Sequence, residues 1–324
     1  MENATDVGGS PVNTTMSDRR EPMDAIPVID YEGSRYRTDF WEGKGRDYED
    51  AAERLALRRL MPPTGRRIAE IGAGFGRLGD LYAGYEQVIL FDYSRTLLQE
   101  AVARWGHDPR FVFVAGNVYQ LPLATASLDT LVMVRVMHHL AEVSVALGQL
   151  RRTLHDAGVA ILEYANKRNL KAIARWLARR QSWSPFDLKP VEFVELNFDF
   201  HPVWMQQRCS EAGLDVREQL AVSHFRLSWL KQRVPATRLA EWDNRLFALG
   251  GLFPVSPSVF LRVRPVATSP APRTMTGDVA DLFACPVCCG DRTFAVVNER
   301  LLACRSCGSR YAKREGIWDF KEVA

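Results

Sequence analysis

Arg67-Ile-Ala-Glu70-Ile71-Gly72-Ala73-Gly74-Phe75-Gly76-Arg77 reads as a short apolar strand that ends in an acid and spills into a glycine turn. Glycines at 72, 74 and 76 permit positive φ and let a ligand approach amides that a Cβ would shield. The dinucleotide fingerprint G-x-G-x-x-G needs its third glycine at position 77, which is Arg77, so the spacing argues against NAD. A second apolar run, Gln87 to Asp92, ends in a carboxylate 22 residues after Glu70, where two ribose hydroxyls can be held together. Acid, glycine turn and second acid point to an adenosine-containing cofactor.

Working outward, short apolar runs at 67–71, 87–92, 111–115, 130–135 and 159–163 are separated by helix-length segments. A leading helix from Asp47 to Met61 carries an apolar stripe (Ala51, Leu55, Leu57, Leu60) and is stopped by Pro62-Pro63. Such alternation implies an α/β fold with a parallel sheet covered on both faces, and a ligand crevice at the carboxyl ends of its strands. Gly72, Asp92, Asn117, Arg135 and Glu163 all fall there. From Asn166 the alternation stops. Lys167 to Arg180 is an amphipathic basic helix with Lys167, Arg168, Lys171, Arg175, Arg179 and Arg180 and no acid, followed by a helix from Pro202 to Gly213 and strands near 216–222 and 257–263.

These residues resemble the class I S-adenosylmethionine-dependent methyltransferases of the broad small-molecule type, over most of the first 265 residues. The resemblance implies a doubly wound, mostly parallel seven-stranded sheet. It implies that Glu70, Gly72, Ala73, Gly74 and Gly76 cup the methionine part of the cofactor, that Asp92, with Tyr93 beside it, takes the ribose, and that Asn117 and Val118 contact adenine. Asn117 stands where the family usually has Asp; its carbonyl can still accept from the adenine amino group. Arg135 would lay its stem along the cofactor. His138 and His139 follow the fourth strand, where an acceptor would sit, and His139 is the candidate general base. Arg46 and Tyr48 flank the leading helix as candidates to close over the methionine carboxylate. An Asn/Asp-Pro-Pro-Tyr/Phe motif, used on planar amide or exocyclic amino nitrogens, is absent: the matching residues are Arg135-Val-Met-His138.

The 324 residues are 47% hydrophobic and 25% charged, with a net charge of +3, too mild a bias to indicate nucleic acid by itself. No apolar run approaches the roughly 20 residues that span a bilayer. The absence of a signal pattern at the N-terminus leads to the expectation of a cytoplasmic enzyme. Residues 1–25 are expected to be a flexible tail, 26–265 the catalytic domain with a cap insertion at about 166–200, 266–280 a linker, and 281–324 a second module.

That module carries Cys285-Pro-Val-Cys288 and Cys304-Arg-Ser-Cys307, separated by 15 residues, the spacing of a four-thiolate structural zinc site. Gly290 and Gly308 follow the two knuckles, where a positive φ is expected, and Cys209 and Cys289 are left without a disulfide role. The module resembles the small zinc-ribbon proteins that activate tRNA, rRNA and release-factor methyltransferases as separate subunits, which implies an activating or substrate-guiding partner joined in cis. The function expected is methyl transfer from S-adenosylmethionine to a small metabolite or lipid. RNA or protein as acceptor is the alternative, as is a non-catalytic scaffold whose ribbon recruits RNA or protein.

Overall fold

The computed structural model describes residues 26–35, 37–41, 43–267 and 279–324; the expected tail 1–25 and most of the expected linker lie outside them. Strand β1 (Gly65–Ile71) lies at the centre of the sheet, parallel to β2 (Tyr85–Asp92) on one side and to β4 (Leu128–Met133) on the other. Beyond β2 comes β3 (Phe111–Ala115), and beyond β4 comes β5 (Leu154–Ala165), both parallel to their neighbours. A short hairpin, β6 (Val191–Val194) with β7 (Asn197–Asp199), stands apart from the sheet. β9 (Ser258–Pro265) runs antiparallel to β5 and β8 (Leu214–Val222) antiparallel to β9.

The seven of these that share a sheet match the expected set, but among the described residues that sheet has eleven strands and is mixed. β10 (Phe294–Asn298), β11 (Leu301–Cys304), β12 (Arg310–Arg314) and β13 (Ile317–Asp319) extend it past β3. The cause is an edge. β3 and β13 would each expose unpaired backbone groups, and pairing them in parallel (Ile317 with Phe113, Trp318 with Val114, Asp319 with Ala115) covers both. The Cys module is therefore built onto the main sheet. Its Phe283, Phe294, Tyr311, Trp318 and Phe320 share one apolar cluster with Val114, Val118, Leu121 and Leu123. The peptide of Ala124 donates to Leu282 O at 2.8 Å, and Thr125 N to Asp291 Oδ1 at 2.8 Å, pinning the module to the loop after β3.

Alternation along β1 sends Ile68 to one apolar layer and Ala69 and Ile71 to the other, so both faces are covered, as expected of a doubly wound sheet. Helix α1 (Asp47–Leu60) has Asp47, Glu49 and Asp50 in its first turn and Arg58 and Arg59 in its last, matching the helix dipole. α2 (Arg95–Trp105) is capped by Ser94, whose side chain accepts from Leu97 N. α3 (Val143–Thr153) precedes β5. The basic helix is shorter than its composition suggests: α4 spans Leu170–Leu177, starting where the Asn169 side chain accepts from Ala172 N. α5 (Pro202–Glu211) opens with proline. The stretch 223–256, where no element is expected from the sequence, forms α6 (Ser228–Arg233) and α7 (Ala236–Leu252), and α7 packs on α1 and β8.

Candidate functional site

The carboxyl ends of β1, β2 and β4 open into a cleft enclosing about 920 Å³ of empty space, part of it open to solvent. Glu70, Gly72, Ala73 and Gly74 form its floor, Asp92, Tyr93 and Val118 one side, and Arg135 and His139 the other. Nine of the eleven residues picked as cofactor-binding or catalytic are thus brought together. Gly76 and Asn117 are the two that do not line this cleft. At Gly76 φ is +69°, and an added Cβ would lie 2.9 Å from Trp105, so this glycine serves the packing beneath the turn. Asn117 caps a short helical turn, its side chain accepting from Tyr119 N at 2.9 Å, and faces a neighbouring hollow that it shares with Tyr93 and Lys321.

The two acids are held differently. Asp92 accepts from Gly74 N at 2.7 Å and from Ser94 N at 2.9 Å, so it clamps the glycine turn to the end of β2. Burial pushes its carboxyl up, opposed by these amides. Glu70 is 4% exposed, and its Oε2 has no hydrogen-bond partner among the described residues. Burial pushes its carboxyl up to about 8, against the pull of the Arg77 charge and of the buried Tyr82 hydroxyl beside it. A carboxylate oxygen left this way in a cleft suits a cationic group on a ligand, and the lone pairs remaining on Asp92 suit hydroxyls.

On the opposite wall, Arg135 takes φ +60°, an uncommon conformation for a side chain this large, with its amide donating to Glu163 Oε2 at 2.8 Å. Its guanidinium pairs with the buried Glu53, which also binds Arg77 at 2.8 Å. Burial raises the Glu53 carboxyl and the two arginines more than offset it, so the net effect is downward. Trp41 lies against both cations, 4.0 Å from Arg77 and 4.8 Å from Arg135.

His139 has both ring nitrogens engaged: Nε2 lies 3.2 Å from the Tyr31 hydroxyl and Nδ1 3.1 Å from the Leu196 carbonyl. A carbonyl only accepts, so Nδ1 carries the proton and Nε2 takes the bond from Tyr31. Burial pushes the pKa of His139 down, partly opposed by the Leu196 bond, and that of His138 down to about 3. His138 does not line the cleft, and its Nδ1 is buried without a partner among the described residues. His201 accepts from Val203 N at the start of α5, a helix-start role.

Tyr48 is not a cofactor residue. Its ring is 1% exposed and its hydroxyl donates to Asp243 Oδ2 on α7 at 3.0 Å, which fixes α1. Arg46 stands over Phe40 and Trp41 at the outer rim. Sequence reasoning missed Val28, Ile29, Tyr31 and Trp41, all of which line the cleft from the segment before α1. This segment has no periodicity, and it is placed by charges far away in the chain. Glu32 accepts from Arg95 N and Thr96 N at the start of α2, and Lys321 from the C-terminal tail lies 3.9 Å from Asp30.

At the far end of the sheet the four Sγ atoms of Cys285, Cys288, Cys304 and Cys307 all lie within 4.8 Å of one another. Cys285 and Cys307 are 3.7 Å apart, and Cys288 and Cys304 3.6 Å. A tetrahedral ion with bonds of about 2.3 Å to sulfur needs edges of roughly 3.75 Å, whereas a disulfide needs about 2.05 Å. The geometry fits a divalent metal. Gly308 takes φ +77° as expected, but at the first knuckle the left-handed residue is Cys289 (φ +55°) and not Gly290. Gly290 is small for another reason, since a Cβ there would meet Thr293 at 2.7 Å. The tail after β13 returns to the cleft, where Lys321 Nζ lies 3.8 Å from the Tyr93 ring and Asp319 binds Arg95 at 2.8 Å.

Residues 69–162 match the family described as methyltransferase domain. Over 180 residues the chain is 28% identical to an S-adenosylmethionine-dependent methyltransferase of Mycolicibacterium smegmatis, covering 55% of this chain and 62% of that one. Over 159 residues it is 30% identical to another of Mycobacterium tuberculosis, covering 49% and 51%. The chain thus spans between half and two thirds of the length of these curated relatives. Among solved structures, the complex of the Haloferax volcanii Trm112 methyltransferase activator with a methyltransferase aligns with a TM-score of 0.49 at 18% identity, covering 73% of this chain and 99% of that one. Residues 69–162, which supply most of the lining of the cleft, are therefore similar to a methyltransferase domain.

Proposed function

We propose that this chain transfers a methyl group from S-adenosylmethionine to a small metabolite or lipid, with the C-terminal module acting as a zinc ribbon that steadies the cofactor cleft in cis. The observation that carries the reading is the unpartnered, buried Oε2 of Glu70 beside an Asp92 already aligned by two amides. An ammonium of the methionine part supplies the partner Glu70 lacks, while Asp92 accepts from the ribose hydroxyls. Ala73 and the turn glycines offer a floor without bulk, and Tyr93 and Val118 bound the adenine end. When bound, the cofactor supplies an electrophilic methyl on a sulfonium, and the enzyme's task is then alignment and exclusion of water. The strap carrying Val28, Ile29 and Tyr31 excludes water; Arg135, fixed by Glu53 and Trp41, shapes the acceptor side. His139, kept neutral by burial, accepts a proton at Nε2, the atom now occupied by the Tyr31 hydroxyl. The apolar residues Val134, Val136 and Leu140 suit a small apolar acceptor.

Four outcomes test this. Asp92→Ala should weaken S-adenosylmethionine binding by about tenfold to a hundredfold, since charge-assisted hydrogen bonds are worth roughly 1.5 to 3 kcal/mol. Unchanged affinity in calorimetry would refute the assignment.

Glu70 gives a pH signature. In the free protein its carboxyl is mostly protonated at pH 7 because its pKa is pushed up to about 8. An ammonium beside it favours the ionised form, so binding at pH 7 releases a proton, and affinity rises with pH up to about 8 before levelling off. Calorimetry in buffers of different ionisation enthalpy reads that proton directly; a count of zero at pH 7 contradicts the pairing.

For His139→Ala, a base role implies a loss of roughly 10²-fold or more in turnover with cofactor affinity little changed. Labelled cofactor incubated with fractionated extract separates the acceptor classes: label in metabolites or lipids supports the proposal, label in RNA or protein supports the alternative, and binding without transfer supports a scaffold.

A further inference from the structure

We infer that the face built by α4, the loop after it and the end of α7 docks on an anionic membrane surface. Between Lys167 and Phe186 there are six basic residues and no acidic one. Lys171, Arg175, Arg179 and Arg180 are exposed, and none takes part in an ion pair among the described residues. Interleaved with them are side chains that a solvated surface would not select. Leu170 is 66% exposed, Leu177 69%, Leu252 72% and Phe253 74%, with Trp176 and Phe186 also in solvent.

The segments are fastened into one patch. Leu170 N donates to Val255 O at 2.8 Å, and the Asn166 side chain donates to Pro254 O at 2.9 Å and Ser256 O at 2.8 Å, locking the start of α4 to the chain after α7. Lys167, buried and without a carboxylate partner, donates from Nζ to Asp187 O at 2.8 Å and Lys189 O at 2.6 Å, which holds the loop over α4. Trp176 and Phe186 then meet edge to face at 5.6 Å. A fixed apolar patch ringed by unneutralised cations complements the boundary between anionic headgroups and acyl chains, where an amphipathic helix seats its apolar side. RNA would use the cations but has no use for Leu177, Leu252 and Phe253. The hairpin β6–β7 links this face to the cleft, because Leu196 at its turn holds His139. Docking there would bring the acceptor side toward a membrane-dissolved substrate. This last step rests on the proposed lipid reading; the docking itself does not, and it is read without turnover.

The test uses the full chain and sedimented vesicles of phosphatidylcholine alone or mixed in equal parts with phosphatidylglycerol. Binding is expected to the mixed vesicles and to weaken with added salt. Reversing Lys171, Arg175 and Arg179 to Glu should lower it by roughly a hundredfold, at about fivefold per lost cation. A Leu177→Glu/Phe253→Glu chain, with all its cations kept, should lose at least tenfold. Both variants change exposed residues, and retained melting temperature and cofactor binding confirm that they are folded. Absence of vesicle binding in the wild type overturns the proposal. So does binding that survives the two apolar substitutions, or a single-stranded RNA that competes the protein off the vesicles in a manner sensitive only to the charge reversals.

Discussion

A Cys304→Ser chain is expected to lose its metal, to melt roughly 10 °C lower, and to bind S-adenosylmethionine about tenfold more weakly. Structural zinc contributes roughly 10 to 16 kcal/mol to folding in small modules, and a net loss of even 4 kcal/mol moves Tm by roughly 10 °C in a chain of this size. Four cysteines at this spacing leave no open ligand position, so a metal held there would be structural. From sequence alone, a linker suggests two independent cores and a cofactor domain indifferent to the ribbon. The structure reverses that expectation. β13 continues the main sheet beside β3, Trp318 and Phe320 share a core with Val114 and Leu121, and Lys321 covers the Tyr93 ring at the cleft. Loosening the Cys module should therefore loosen the Tyr93 side of the cleft, and the two should melt in one transition. Metal analysis, thermal unfolding and calorimetry together decide it. Iron or no metal in the wild type, or a variant with two transitions and unaltered cofactor affinity, contradicts the coupling. Cys289→Ser is the control: Cys289 is exposed and outside the thiolate cluster, so its replacement should change stability by no more than about 0.5 kcal/mol.

The central strands and most of the cleft were legible because both depend on local patterns. β1 to β5 follow from short apolar runs, and Glu70, Gly72, Gly74 and Asp92 from the turn chemistry at their ends. What was not legible depends on partners distant in sequence. Tyr31 and Trp41 sit in a segment with no periodicity, placed by Glu32 capping α2 and by stacking on Arg77 and Arg135. Glu53 reads as an ordinary helix acid until two arginines converge on it. The eleven-stranded sheet could not be read because the pairing of β13 with β3 joins residues about 200 positions apart. α7 escaped notice because its apolar residues are spread between a buried face and exposed positions such as Leu249 and Leu252. Tyr48 illustrates the opposite error: its place at the start of the leading helix suggested ligand contact, but its hydroxyl donates to Asp243.

Gly72→Ala and Gly74→Ala should separate what the turn does for the fold from what it does for the ligand. At Gly72, φ is +75° and an added Cβ would fall 2.1 Å from Val136 Cγ2, so Val136, in the loop after β4, must move. The left-handed conformation alone costs an alanine about 1 to 2 kcal/mol, and the clash adds to it. A fall in Tm of several degrees and a loss of cofactor affinity near a hundredfold are expected. At Gly74, φ is +53°, but the nearest atom to an added Cβ is Leu97 Cδ1 at 3.9 Å. Here the protein accommodates the methyl with only the conformational penalty, and the methyl projects toward Leu97 in the lining of the cleft. Affinity should drop by at least about tenfold, the equivalent of 1.4 kcal/mol, while Tm changes little. The pair is made decisive by a third chain, Gly72→Ala with Val136→Ala, which removes the clash but leaves the φ penalty. Most of the lost stability should return, with a coupling of roughly 1 kcal/mol or more between the two sites. If the double substitution is no more stable than Gly72→Ala alone, steric conflict with Val136 is not the reason for a glycine at that position. If Gly74→Ala binds the cofactor normally, the floor of the cleft is not where the ligand rests.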